Sequence, residues 1–311
     1  MTPVPIEVQP RDLQPYRRGN TDIDWVHRFE SGRPGPHVLI NALTHGNEFC
    51  GMVAATHLLD TGVRPAIGTL TVSFANVAAY QSFDAARPFD SRQLAHNLNR
   101  IWSDAWLDGP ETSPELDRAR ELRPVVAAAD HILDLHSTSQ DVPPFWVYPG
   151  HARNGDAALA IGRPAVHLVM PQGMGSGTPL IQHGALSRPD HHGVALVAEC
   201  GQHFHQASSD RAIAVTLDFL AHFGLLDRAP EPRAAPTPAQ RFELLQTWVV
   251  RDAGFAFTRP LVGFETFDEG ELIAVDGDDE LRAPCAQCTV LMPTREPIVG
   301  REGVYLARPM D

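Results

Sequence analysis

The residues best suited to chemistry are a histidine and a glutamate three apart, His45 and Glu48, in the run Thr44–His45–Gly46–Asn47–Glu48. Imidazole nitrogen and carboxylate oxygen both bind zinc, and a catalytic zinc site needs three protein ligands and an open position for water. With 15 histidines in the chain, an H-x-x-E pair arises easily by chance, so its setting matters. The pair follows a buried apolar run, encloses Gly46 as the residue that admits a tight turn, and opens a helix. A helix N-terminus there favours a carboxylate by ~0.3–1 kcal/mol. His136, at the end of HILDLH, supplies a third ligand. Asp134, two residues back on the same strand face, is placed to orient it. Glu199 ends the apolar run LVAE. A carboxylate in that position needs a partner or a task. It can take a proton from water and pass it to a leaving nitrogen, or it can simply pair with an arginine. Arg92, Asn99 and Arg100 lie in one loop, with donors suited to carboxylates and to a developing oxyanion.

These residues need strand ends to bring them together. Residues 37–44 read as a buried strand, 47–62 as a helix stopped by Gly62, and 69–77 as a second strand. Pro114 to Ala129 has helical spacing, with Pro124 as a potential break. Residues 131–136 and 193–200 are further strands, and 210–225 an amphipathic helix. Alternating strands and helices imply an α/β domain over 1–228, a mixed, mostly parallel sheet with helices on both faces. Ligands then bind beyond the strands' carboxyl ends, where His45, His136 and Glu199 fall. The proline-rich stretch 229–241 reads as a linker. The short apolar runs after it make 242–311 a small all-β domain, able to lid an active site.

Composition narrows the function classes. A net charge of −13 speaks against a nucleic-acid surface. All 25 basic residues are arginine, so Schiff-base lysine chemistry is excluded. The first twenty residues hold no signal-peptide core, and no apolar run is long enough for a membrane span. The expectation is a cytoplasmic protein. Cys285-x-x-Cys288 lacks the other half of a zinc knuckle and reads as a turn with two free thiols. His183, His191, His192, His203 and His205 suggest a polar rim around Glu199, with a second metal site as the alternative. Cys50 and Cys200 are expected to pack as small hydrophobes.

Four segments in order, THGNE at 44–48, NLNR at 97–100, DLHST at 134–138 and AECGQH at 198–203, resemble the succinylglutamate desuccinylase/aspartoacylase family. The likeness spans residues 37–203 and extends to the β region after the linker. It implies a zinc carboxypeptidase-like fold, one zinc ion on His45, Glu48 and His136, and Glu199 as general acid/base. It further implies that Arg92 polarises the scissile carbonyl, and that Asn99 and Arg100 hold a small, carboxylate-bearing substrate. Three departures stand out: Asn97 replaces an aspartate of some members, Cys200–Gly201 replaces another dipeptide, and Arg188 is out of register with the family's carboxylate-gripping arginine. The expected activity is hydrolysis of the amide of a small N-acyl amino acid or related acylated amine. A zinc peptidase is the near alternative, and a metal-dependent binding protein without turnover the distant one. No nucleic-acid or membrane partner is expected, and self-association is left open.

Overall fold

Most apolar runs of the sequence become strands or helix faces in a computed structural model that describes residues 4–227 and 238–310. The strands are β1 (Val26–Glu30), β2 (His37–Ala42), β3 (Thr69–Phe74), β4 (His131–Thr138), β5 (Phe145–Pro149), β6 (Val166–Met170) and β7 (Ala195–Gln202). After residue 238 come β8 (Gln240–Val249), β9 (Ala256–Phe257), β10 (Thr266–Phe267), β11 (Leu272–Asp276), β12 (Asp279–Arg282), β13 (Cys288–Leu291) and β14 (Glu302–Met310). The helices are α1 (Phe49–Asp60), α2 (Val77–Gln81), α3 (Asp104–Leu107), α4 (Pro114–Ala127), α5 (Ala152–Ile161) and α6 (Gln206–His222).

One large sheet runs in the order β1-β3-β2-β4-β7-β5-β6-β8-β14-β13-β10, and β12-β11-β9 form a small one. The centre, β3-β2-β4-β7, is parallel throughout. Its strands are buried on both faces, so they read as continuous apolar runs rather than alternating ones. One face is covered by α1, α5 and α6, the other by α3 and α4. A third apolar cluster fills the C-terminal β region.

Pro124 does not break α4, which runs to Ala127. It sits in the last turn, where losing one N–H and crowding one carbonyl disturbs little. The linker expected at 229–241 lies mostly outside the described residues, and its end is corrected: Gln240 and Arg241 already stand in β8. That strand pairs in parallel with β6, so the C-terminal strands continue the large sheet.

Candidate active site

Register places the site. In the β2–β4 ladder Asn41 stands opposite Asp134, and in the β4–β7 ladder His136 stands opposite Glu199. Both lie toward the carboxyl ends of adjacent parallel strands. The β4–β7 register then shifts between His136 and Thr138, so β7 carries an extra residue around Cys200–Gly201. Gly201 takes a φ of 113° there, a conformation that strains residues with a Cβ. Bulges of this kind re-aim the side chains beyond them, and His203 lines the cavity.

His45 arrives from the turn after β2. Gly46 is required there by close packing, because a Cβ would lie 2.4 Å from backbone atoms of Ala79, Tyr80 and Ser91. The expected turn is present, with the Glu48 amide donating to the His45 carbonyl at 3.3 Å; close packing, not a left-handed φ, is what calls for glycine. The same contact lets the Gly46 amide donate to the Arg92 carbonyl at 3.1 Å, which draws the Arg92 segment onto the site. Glu48 is the N-cap residue of α1, but its carboxylate makes no capping bond. It faces the histidines instead.

Both rings have their outer nitrogens committed. His136 Nε2 lies 2.8 Å from Asp134 Oδ2, and a carboxylate only accepts, so this nitrogen carries the proton. Asp134 is itself fixed by Asn41 Nδ2 and Thr44 Oγ1, each 2.8 Å from its Oδ1. His45 Nε2 lies 2.9 Å from Asn97 Oδ1, and that oxygen also accepts from the Asn99 amide, which settles the orientation of the Asn97 side chain. His45 Nδ1 therefore faces Glu48 Oε1 at 2.8 Å, and His136 Nδ1 faces Glu48 Oε2 at 2.9 Å. One ligand atom from each of the three lies within 4.8 Å of the others, and all three residues are buried.

Burial and then the Arg92 charge push the His45 ring down to about 4. Burial also opposes charge on His136, but the Asp134 and Glu48 carboxylates outweigh it and drive that ring well above its ordinary value. Burial would lift the Glu48 carboxyl, yet the two imidazoles hold it well below the usual range. The cluster therefore favours a positive charge at its centre. Glu48 Oε2 is buried with no partner beyond the His136 Nδ1 that faces it. A divalent cation satisfies all three inward atoms at once, so the residues fit a metal.

The remaining expected residues take unequal places. Glu199 lines the cavity with Oε2 buried and unbonded, and burial, only partly offset by His136, pushes its carboxyl up to about 8. Among the described residues no arginine pairs with it, so the bland alternative for this position loses its support. Arg92 reaches Glu48 Oε1 with Nη1 at 3.2 Å and keeps its side chain about a third exposed to the cavity. Asn99 Oδ1 accepts from the Leu180 amide at 3.0 Å. Arg100 differs from expectation. Its Nε and Nη2 grip both Glu302 oxygens, at 2.5 and 2.9 Å, so its fork is closed by the protein itself.

Of the histidines near Glu199 that suggested a rim, only His203 lines the cavity; its Nδ1 meets Ser137 Oγ at 2.8 Å. Arg188 is not among the lining residues. The four cysteines are free, and among the described residues the His45–Glu48–His136 cluster is the one group able to hold a metal. Cys50 and Cys200 are buried as expected, Cys50 Sγ donating to the His136 carbonyl at 3.2 Å. The sequence did not indicate these hydrogen-bonding roles for Asn41, three residues before THGNE, or for Thr44 and Asn97, which open THGNE and NLNR. Ser137 lies inside DLHST with no signal of its own, His203 was expected only on a polar rim, and Glu302 and Tyr305 gave no local signal.

The cavity has a volume of about 690 Å³ and is walled partly by Met292, Arg295, Ile298, Glu302 and Tyr305 from the C-terminal region. No helix among the described residues is long and apolar enough to cross a membrane.

Many solved structures share this fold, three of them as follows. Succinylglutamate desuccinylase from Vibrio cholerae aligns with a TM-score of 0.70 at 19% identity, over 92% of this chain and 86% of that one. The desuccinylase from Vibrio parahaemolyticus aligns at 0.67 and 17%, over 93% and 87%. The product-bound ectoine utilization protein EutE (DoeB) from Ruegeria pomeroyi aligns at 0.64 and 18%, over 95% and 93%. No curated protein matches the sequence. The model of the succinylglutamate desuccinylase/aspartoacylase catalytic domain matches residues 34–219, well over half of the chain. The chain belongs to that family.

Proposed function

We propose that this protein is a zinc-dependent hydrolase that cleaves the amide bond of a small N-acyl amino acid or related acylated amine. The observation that carries the reading is the inward convergence of His45 Nδ1, His136 Nδ1 and the Glu48 carboxylate, with both outer ring nitrogens already committed. A zinc ion held there supplies a Lewis acid that polarises the carbonyl and acidifies water.

The chain's own residues do the rest. Glu199 stands beside His136 as the base that takes a proton from the attacking water and returns it to the leaving nitrogen. Its carboxyl is high, about 8, in the absence of a cation, and a positive charge nearby lowers it toward the working range of a base. Arg92 has N–H groups beyond the one on Glu48 to meet the developing oxyanion. Asn99, its carbonyl oxygen committed to Leu180, has its amide nitrogen for the substrate. The C-terminal wall limits the space available and disfavours long peptides.

The test is a turnover screen of the zinc-loaded protein on N-acetyl and N-succinyl amino acids beside dipeptides and longer peptides. Acyl amino acids should be cut, chelation should abolish the activity, and Glu199→Gln should retain zinc while losing ~10²–10⁴-fold in kcat. Chelator-resistant turnover would sink the metal, and near-normal turnover in the variant would remove Glu199 from its role.

A further inference from the structure

Four arginines among the described residues line the cavity, and they differ in what holds them. Arg92 has Glu48 and Arg100 has Glu302 as carboxylate partner, and Arg301 is exposed to water. Arg295, in the loop between β13 and β14, is half-buried and held only by neutral groups. Its Nη1 donates to the Ser139 carbonyl at 3.4 Å and to Gln140 Oε1 at 3.2 Å, and its Cζ lies 4.8 Å from the centre of the Phe89 ring. Among the described residues no carboxylate pairs with it, and Glu296, next along the chain, is exposed. The position adjoins the chemistry. Ser139 and Gln140 follow His136 by three and four residues, and Phe89 precedes Arg92 by three, its ring 6.0 Å from that of His203. These contacts use Nη1 and the face of the guanidinium, so Nε and Nη2 keep their N–H groups for a ligand. Stacking on a ring and bonds at one edge fix the guanidinium plane in advance, so binding costs it little freedom. A fork held in this way without a counter-charge fits a planar carboxylate.

We propose that Arg295 is a specificity-determining residue: its free N–H groups take a carboxylate at the far end of the substrate, on the acyl arm or the amine arm. The inference rests on the deacylase reading for the bond that is cut, but anion binding at Arg295 can be tested without turnover. It concerns a contact supplied by the C-terminal region and is independent of the Arg100 side of the cavity.

The experiment compares zinc-loaded wild type, Arg295→Gln and Arg295→Lys on two isosteric pairs. N-acetylaspartate against N-acetylasparagine places the charge on the amine arm, and N-succinylalanine against N-succinamoylalanine places it on the acyl arm. Calorimetric binding of succinate and succinamate runs in parallel. Wild type should favour the acid in at least one pair. Arg295→Gln should lower kcat/KM about tenfold more for that acid than for its amide, mainly through KM, and weaken succinate more than succinamate by a similar factor. Arg295→Lys, which keeps the charge and loses the fork, should recover part of the difference. The pair that responds identifies the arm. Equal losses on acid and amide would make Arg295 a structural bridge to Ser139 and Gln140 and overturn the proposal. So would a wild type indifferent to the charge in both pairs, a result that needs no variant to fold. A wild type that cuts none of the four compounds counts against the deacylase reading, while the succinate and succinamate affinities still decide the role of Arg295.

Discussion

A histidine has two nitrogens, and what holds the outer one governs what the inner one can do. His136 shows this most clearly, because its Nε2–H donates to Asp134 while Nδ1 points at Glu48. The carboxylate both fixes the tautomer and makes the ring a better electron donor. Asp134→Asn removes the charge and nearly keeps the shape. It should weaken zinc affinity ~10–100-fold, measured by chelator competition, with little change in the fold. Unaltered affinity would mean that Asn41 and Thr44, the other partners of Asp134, position the ring sufficiently without the charge. At this scale the sequence was informative: His45, Glu48, His136 and the Asp134 backing follow from short-range spacing and strand alternation. Arg100 was not legible in the same way, since its partner lies 202 residues away. Nothing near Glu302 distinguishes a carboxylate that plugs a fork from one that faces solvent.

Among the elements, the decisive piece is the crossing of the His45 turn with the segments carrying Ala79–Tyr80 and Ser91–Arg92. Gly46 lets three backbones approach where a side chain would overlap them. Gly46→Ala should destabilise the fold by ~1–3 kcal/mol through overpacking and reduce kcat as the Arg92 segment is pushed off the site. Thermal melts paired with kinetics check this, and a stable, fully active variant would show that the crossing yields easily. The elements that frame the His45–Glu48–His136 cluster were readable because β2, β4, β7, α1 and α6 are long or strongly patterned. The stretch between them was not. Strands β5 and β6 are five-residue buried runs, which periodicity does not separate from short helical segments. Helix α5, lying between them, is short as well.

For the molecule as a whole, the Arg100–Glu302 pair fastens the loop after α2 to the last strand, and this connection is sensitive to acid. Burial would raise the Glu302 carboxyl, but Arg100 outweighs it and holds the group at about 2, against an ordinary value of 4.5. As pH falls the unfolded chain takes up this proton first. The contribution is thus complete above about 4.5 and drains away as pH drops toward 2. Glu302→Gln lacks this linkage, so its melting temperature should fall less than that of wild type between about pH 5 and pH 3. Parallel slopes for the two proteins would show that the pair adds nothing to acid stability. The change from α/β texture to short strands was evident in the sequence from residue 242, but the docking of those strands was not. Whether β8 forms its own sheet or extends another depends on an edge that only the folded chain presents.

That extension has a mechanical consequence. Because β8 shares a backbone ladder with β6, from Val166 opposite Gln240 to Val169 opposite Glu243, the C-terminal wall is welded to the catalytic half rather than hung from it. Swinging the wall as a rigid door would tear several hydrogen bonds together, a penalty no small substrate repays. The loop at Ile298 and Val299, 42% and 55% exposed, lines the cavity from outside every ladder, so changes there would leave the weld intact.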